Sequence, residues 1–219
     1  DGPTALAAGR PPCDECRMEP LDPSRARRRA GESAVLDTRD EAAFARGHLA
    51  GSGHLPRGEL RERRAELPPR GTGILVVAGS AAEAADAAAA LEEMGYAGVA
   101  FLDAPLAELP GGLDDRAPAA RLWRPARFLE EALSRVPASW PGPAGRAPTA
   151  LDVACGTGRE AVFLAGRGFR VEARDHAPEA LERARALARR EGVALRAVPC
   201  DLESPDLPPP ERPFDLVVC

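Results

Sequence analysis

Short β-branched runs alternate with alanine- and arginine-rich helical runs in two separate stretches of this chain, and the pattern stops for about forty residues between them. Strands alternating with helices bury both faces of a parallel sheet. A restart after so long a break predicts two domains. The first stretch runs from "SAVLDTRD" at residue 33 through the helical run "DEAAFARG", the loop "GHLAGSGHLP", the polar helical run "RGELRERRAEL" and the strand "GILVVA". A helix from about 81 to 94, stopped by "GY", and the strand "GVAFLD" complete it. The second restarts at 149 with the strand "TALDVA" and helix 158–167, then "RVEARD" and helix 178–191, and ends with the strands "ALRAVP" and "FDLVV". That order predicts a doubly wound half-sheet.

Between the stretches, "APLAELPGGLDDRAPAARL" has the texture of a connector. "LWRPARFLEEALSRV" places Phe128, Leu129, Ala132, Leu133 and Val136 at helical spacing, either as a cap over a ligand site, with Trp123 and Arg124 near its mouth, or as a plain packing helix. Residues 1–32 are rich in Pro, Arg and Gly without periodicity and predict a linker or frayed end. Within them Cys13 and Cys16 have C-x-x-C spacing, which fits half a zinc site, a redox pair or an incidental pair; no second pair follows.

Composition narrows the function classes. Every one of the 29 basic residues is arginine, and there is no Lys, Asn or Gln, which points to a GC-rich genome. With 34 acidic residues and a net charge of −5, the arginine clusters predict a solvated surface and no nucleic-acid partner. Five cysteines without framework spacing predict a reducing, cytoplasmic setting, and no apolar run is long enough for a membrane span. The start at Asp1 and the stop at "FDLVVC" predict a fragment of a longer protein with an open last strand, aggregation or weak cofactor binding, and no activity by itself.

The densest chemistry lies in "LDVACGTGRE" followed by "VEARDHAPEAL". Glycines at 156 and 158 let backbone approach a ligand, and Asp175, seventeen residues beyond Gly158, stands where a carboxylate accepts from ribose hydroxyls. A dinucleotide fold shares these features. Here no third glycine follows at the usual place for pyrophosphate, and Asp152 would repel a diphosphate and suit a cationic ligand, which favours S-adenosylmethionine over a nicotinamide cofactor. Cys155 and Cys200 are read as packing residues.

The segment "ALDVACGTGREAVFLAGRGFRVEARDHAPEALERA", with "CDLE" and "FDLVVC", resembles the class I S-adenosylmethionine-dependent methyltransferases, most of all bacterial ones of the tellurite-resistance type. The resemblance covers about 149–219, the N-terminal half of such a domain. It implies that Asp152, Gly156 and Gly158 line the methionine side, Asp175 holds the ribose, and Asp201 with Leu202 borders adenine. Ala154 stands where the family usually has glycine.

"VLDTRDEAAFARGHLAGSGHLP" and "ILVVAGSAAEAADAAAALEEMGYAGVAFLDAP" resemble rhodanese-like domains over 33–104. The resemblance implies a catalytic cysteine at the position of Ala78, with glycine and arginine at those of Ala81 and Glu83. A thiolate is required for sulfur transfer, and no cysteine lies between Cys16 and Cys155. The resemblance therefore implies a module without sulfurtransferase chemistry, used for docking a protein partner or for regulation. His48 and His54 are read as fixing their loop rather than binding metal, and Asp37 and Arg39 as structural pins.

The expected fold class is α/β: a small rhodanese-like parallel sheet, a connector over 105–148, then a partial Rossmann-like doubly wound methyltransferase sheet. The expected function is methyl transfer to a small-molecule acceptor, against a non-catalytic S-adenosylmethionine sensor or a nicotinamide-dependent oxidoreductase.

Overall fold

A computed structural model describes residues 18–136, 146–204 and 213–219. Cys13 and Cys16 lie outside them. The chain forms two compact units, Asp1–Trp123 and Arg124–Cys219. No helix among the described residues is long and apolar enough to cross a membrane.

The first unit is built on five parallel strands in the order β1-β5-β4-β2-β3: β1 (Glu19–Leu21), β2 (Ala34–Asp37), β3 (Ser52–His54), β4 (Ile74–Val77) and β5 (Val99–Leu102). Alternate residues of the strands enter different cores, as a two-residue side-chain period requires. Leu36, Ile74, Val76, Val99 and Phe101 join one core with Ala84, Ala87, Ala88 and Leu91 of the long helix Ala81–Glu93. Val35, Leu75, Val77, Ala100 and Leu102 join the other, with Ala26 of the helix Pro23–Arg29. In chain order these are α3 and α1, with α2 (Glu41–Ala45) between them. The "GY" stop closes α3 in a Schellman arrangement: Gly95 has φ +85°, its N–H bonds Glu92 O, and the Tyr96 N–H bonds Leu91 O.

Three sequence expectations change here. The expected linker contains β1 and α1, because Asp22 caps the helix, accepting from the Ser24 and Arg25 amides at 2.9 and 3.0 Å, and Pro23 opens it. The polar helix expected over 57–67 is two single 3₁₀ turns, Arg57–Glu59 and Arg64–Glu66. Its two buried anchors, Leu60 and Leu67, are seven residues apart with charge between them, too sparse a stripe to hold a helix against the core. The expected connector packs on the first unit as far as Trp123: Leu106 and Leu109 are in its core, Asp114 bridges to His48, and Leu122 covers Gly53.

The second unit carries four parallel strands in the order β8-β7-β6-β9: β6 (Thr149–Val153), β7 (Arg170–Asp175), β8 (Arg196–Pro199) and β9 (Leu216–Val218). Its helices are α4 (Arg127–Ser134), α5 (Arg159–Gly166) and α6 (Pro178–Arg190). Strand order reverses between β6 and β9, and open sheets of this kind bind ligands outside the carboxyl ends of the strands at such a reversal. Asp215 fastens the start of β9 to β6. Its carboxylate accepts from Arg146 Nη1 and Nη2 at 3.0 and 2.9 Å and from the Thr149 amide and hydroxyl at 2.8 and 2.9 Å. The Arg146 pairing first, then the Thr149 donors, hold its carboxyl down at about 2.

A depressed carboxylate pKa stabilises the fold above the unfolded value and loses that contribution as pH falls through the folded one. Asp215→Asn is therefore expected to unfold more readily than wild type at pH 6. The difference should close as pH falls toward about 2, read by urea titration across pH.

Candidate functional site

The carboxyl end of β6 runs into a tight loop whose backbone is the unusual feature. Ala154 has φ +57°, the left-handed region, and is the one described non-glycine residue there; Gly156 and Gly158 follow at +53° and +80°. The two glycines have different causes. A Cβ on Gly156 would meet nothing within 4 Å, so this turn faces open space. A Cβ on Gly158 would stand 2.6 Å from Ala184 Cβ and 3.1 Å from its Cα, so this glycine permits the close approach of α5 and α6. The resemblance gives Gly158 a ligand contact; its neighbour in the structure is Ala184.

Asp175 ends β7 and is 7% exposed. One carboxylate oxygen accepts from the Gly156 amide at 2.8 Å and the other from the Ala177 amide at 2.9 Å. Burial acts to raise this carboxyl. The amides of Ala177, Gly156 and His176, with the His176 ring, outweigh burial and hold it below the usual carboxylate range. A carboxylate offers about four lone-pair positions, and these amides do not fill them all.

Asp152, one residue before the end of β6, is 3% exposed, and its Oδ2 is buried without a hydrogen-bond partner. Burial, then the charges of Glu160 and Asp175, push its carboxyl up to about 7 against the Ala161 amide. A buried acceptor left bare costs about 1–3 kcal/mol, and an incoming cation removes that cost. Cys155 is buried, and burial with Asp152 and Asp175 pushes its thiol up to about 12, which makes it a packing residue and no nucleophile.

Asp201 and Leu202 follow β8, whose Pro199 pairs in register with Asp175. The Cys200 amide bonds Asp175 O at 2.9 Å, which brings this turn to the same strand ends. Asp201 is exposed and accepts from the Glu203 amide at 3.0 Å. Sequence reasoning did not single out Glu160, in the first turn of α5, whose Oε1 accepts from the Ala126 amide at 3.1 Å. Its only sequence signal was an acid just inside a helix start. Phe128, expected on the apolar face of α4, is 82% exposed, while Leu129 is buried.

In the first unit, Ala78 is buried in the core at the end of β4, and its carbonyl accepts from the Leu106 amide at 3.1 Å. Ser80 caps α3, accepting from the Glu83 amide at 3.3 Å, and the Glu83 carboxylate folds back over Gly79. Ser-x-x-Glu is the capping-box pattern. Asp37, fully buried, takes Arg39 Nε at 3.0 Å and Nη2 at 2.7 Å, and Arg39 also reaches Gly47 O. His54 Nε2 bonds Arg39 O, His48 Nδ1 bonds Phe44 O, and both imidazoles stack on Phe44. These residues pin a loop.

A rhodanese-like domain model matches residues 22–107, and a methyltransferase domain model matches residues 150–219. The chain joins a rhodanese-like domain to a methyltransferase domain. A rhodanese-related protein from Thermoplasma volcanium is 22% identical over 40% of this chain and 85% of its own, with TM-score 0.37. The Alr3790 protein from Anabaena is 23% identical over 42% of this chain and 78% of its own, with TM-score 0.39. A structure titled for the conversion of a disulfide bond into a thioacetal group during echinomycin biosynthesis is 30% identical over 35% of this chain. That match spans 28% of the other protein, with TM-score 0.27. No curated protein matches the chain.

The left-handed alanine of the methyltransferase domain yields a stability prediction. An L-residue in that conformation costs about 1–2 kcal/mol, offset for glycine by about 0.5–1 kcal/mol of extra chain entropy on unfolding. Ala154→Gly is therefore expected to raise the stability of this domain by up to about 1 kcal/mol, measured by urea unfolding.

Proposed function

We propose that the methyltransferase domain binds S-adenosylmethionine and moves its methyl group to a small acceptor, while the rhodanese-like domain serves docking or regulation without sulfur transfer. The observation that carries the first half is the buried, bare Oδ2 of Asp152 at the end of β6, joined to a glycine turn that opens into free space. That donor set fits the group. When bound, the cofactor supplies an electrophilic methyl on a sulfonium, which leaves the protein to bind, orient and exclude water. Asp152 answers the cationic amino-acid end. Asp175, still holding the Gly156 and Ala177 amides, accepts from the ribose hydroxyls with its remaining lone pairs. Gly156 admits the ligand against bare backbone, and Asp201 and Leu202 border adenine. A diphosphate at the same place would meet the Asp152 carboxylate, which disfavours a nicotinamide dinucleotide.

Calorimetric titration of the intact chain tests this reading. S-adenosylmethionine and S-adenosylhomocysteine are expected to bind and NAD not to. Affinity for S-adenosylmethionine should increase as pH rises through about 7, where Asp152 loses its proton. Asp175→Ala should weaken binding at least about tenfold, since bonds to a charged acceptor are worth about 1.5–3 kcal/mol each. Unchanged affinity in that variant would sink the assignment. Binding without turnover on any thiol, amine or metalloid would instead favour a sensor.

For the first domain, the carrying observation is the Glu83 carboxylate folded over the loop beside buried Ala78. Ala78→Cys places a thiol where burial and a carboxylate both raise its pKa. Thiosulfate:cyanide sulfurtransfer is expected to stay at background in this variant; turnover well above it would show that only the cysteine was missing.

A further inference from the structure

We propose that residues 113–123 form an exchangeable strap, which closes on the edge of the rhodanese-like sheet within one chain and docks on the same edge of a second copy when that copy's own strap is displaced. The proposal goes beyond the function above and stands apart from cofactor binding. β3 ends its sheet, and its three residues have Gly53 at the centre. An edge of this kind adds a strand from another chain unless something covers it. Here the chain covers it with its own backbone. The Asp114 amide bonds His48 O at 2.8 Å, the His48 amide bonds Asp114 O at 3.1 Å, and the Ala120 amide bonds Ser52 O at 2.8 Å. Between these anchors the Asp114 carboxylate accepts from the Arg116 and Ala117 amides at 2.8 and 3.2 Å and turns the strap. The fit is closest at Gly53. A Cβ there would collide with Leu122 Cγ and stand 2.6 Å from its Cδ1 and 2.8 Å from Ala120 O, so the absent side chain is the notch that seats Leu122. Trp123, 2% exposed, ends the strap.

Three features make this contact transferable. Each anchor joins the strap to the body of the domain, so a second copy offers the same partners, and exchange of identical elements is a low-cost route to a dimer. Pro110, Gly111 and Gly112, all exposed, separate the buried Leu109 from the strap, and the two glycines take φ +101° and +73°, which makes a hinge that leaves the core undisturbed. His48 Nε2 and Ser52 Oγ, in two residues the strap grips, are buried without a partner, so water reaching them offsets part of the cost of opening. Within one chain the short hinge holds the strap at an effective concentration of about a millimolar. The closed monomer therefore prevails in dilute solution, and exchange shows when a chain cannot use its own strap.

The test uses intact chains, with molar mass from light scattering and hydrogen exchange at the Ala120 amide, which Ser52 O holds. Leu122→Asp spoils the strap and keeps the notch, whereas Gly53→Leu fills the notch and keeps the strap. Each variant alone should be monomeric and should exchange Ala120 at least about tenfold faster than wild type. Mixed in equal amounts, they should form a heterodimer in which Ala120 of the Gly53→Leu chain regains its protection, because that strap finds the open notch of the other chain. A mixture that stays monomeric overturns the proposal, as does a Leu122→Asp chain whose Ala120 exchanges as slowly as in wild type. Should Gly53→Leu fail to fold, a synthetic peptide of residues 113–124 takes its place. It should bind the Leu122→Asp chain at least about tenfold more tightly than wild type, whose own strap fills the edge, and should lose that binding when the peptide itself carries Leu122→Asp. No binding of the unaltered peptide to the Leu122→Asp chain overturns the proposal equally.

Discussion

The bond from the Gly156 amide to the Asp175 carboxylate, 2.8 Å long, is the contact on which the second domain's candidate site depends. It joins the loop after β6 to the end of β7, and so ties down a backbone turn whose own side chains add only a weak thiol contact, Cys155 Sγ to Gly156 O at 3.7 Å. The other Asp175 oxygen takes the Ala177 amide just before α6 begins. One buried carboxylate therefore sets the start of the loop, the end of a strand and the approach to a helix. Such a group is preorganised: the cost of orienting its lone pairs falls on folding rather than on ligand binding.

The two domains treat comparable strand-loop-helix turns in opposite ways. After β6 the turn is held from a distance by Asp175, and its own first residues stay bare, with Ala154 strained and Gly156 open. After β4 the turn is filled from within. Ser80 and Glu83 cap α3, Ala78 is sealed into the core, and the Glu83 carboxylate lies over Gly79. The first arrangement leaves room and unmet polarity for a ligand, and the second consumes both in the helix cap.

Much of this was legible in the sequence because it rests on periodicity. The elements of the second domain fall within a residue or two of the runs that announce them, and α3 with its glycine stop does the same in the first. β1 and α1 escaped because three and seven residues are too short for a period to emerge, although Asp22-Pro23 is a capping signal. The connector was misread because its anchors, Leu106, Leu109 and Leu122, are isolated apolar residues whose partners lie far away in sequence. At the site, residue types could suggest that Asp152 and Asp175 bind. They could not show that one has a bare oxygen and the other is already engaged, since that difference arises from which backbone amides the folded loops present to each carboxylate. Nor could they separate two glycines of identical appearance, one facing space and one facing Ala184.

The contact between Gly158 and Ala184 has a longer reach than its size suggests. Where two helices touch through a missing side chain, neither can slide toward the other, and a substitution on either adds bulk that the pair must absorb by parting. α5 is thereby held fast on the α6 side. A change in the loop after β6, whether by drift or by design, is easier at Gly156, where an added Cβ would meet nothing within 4 Å.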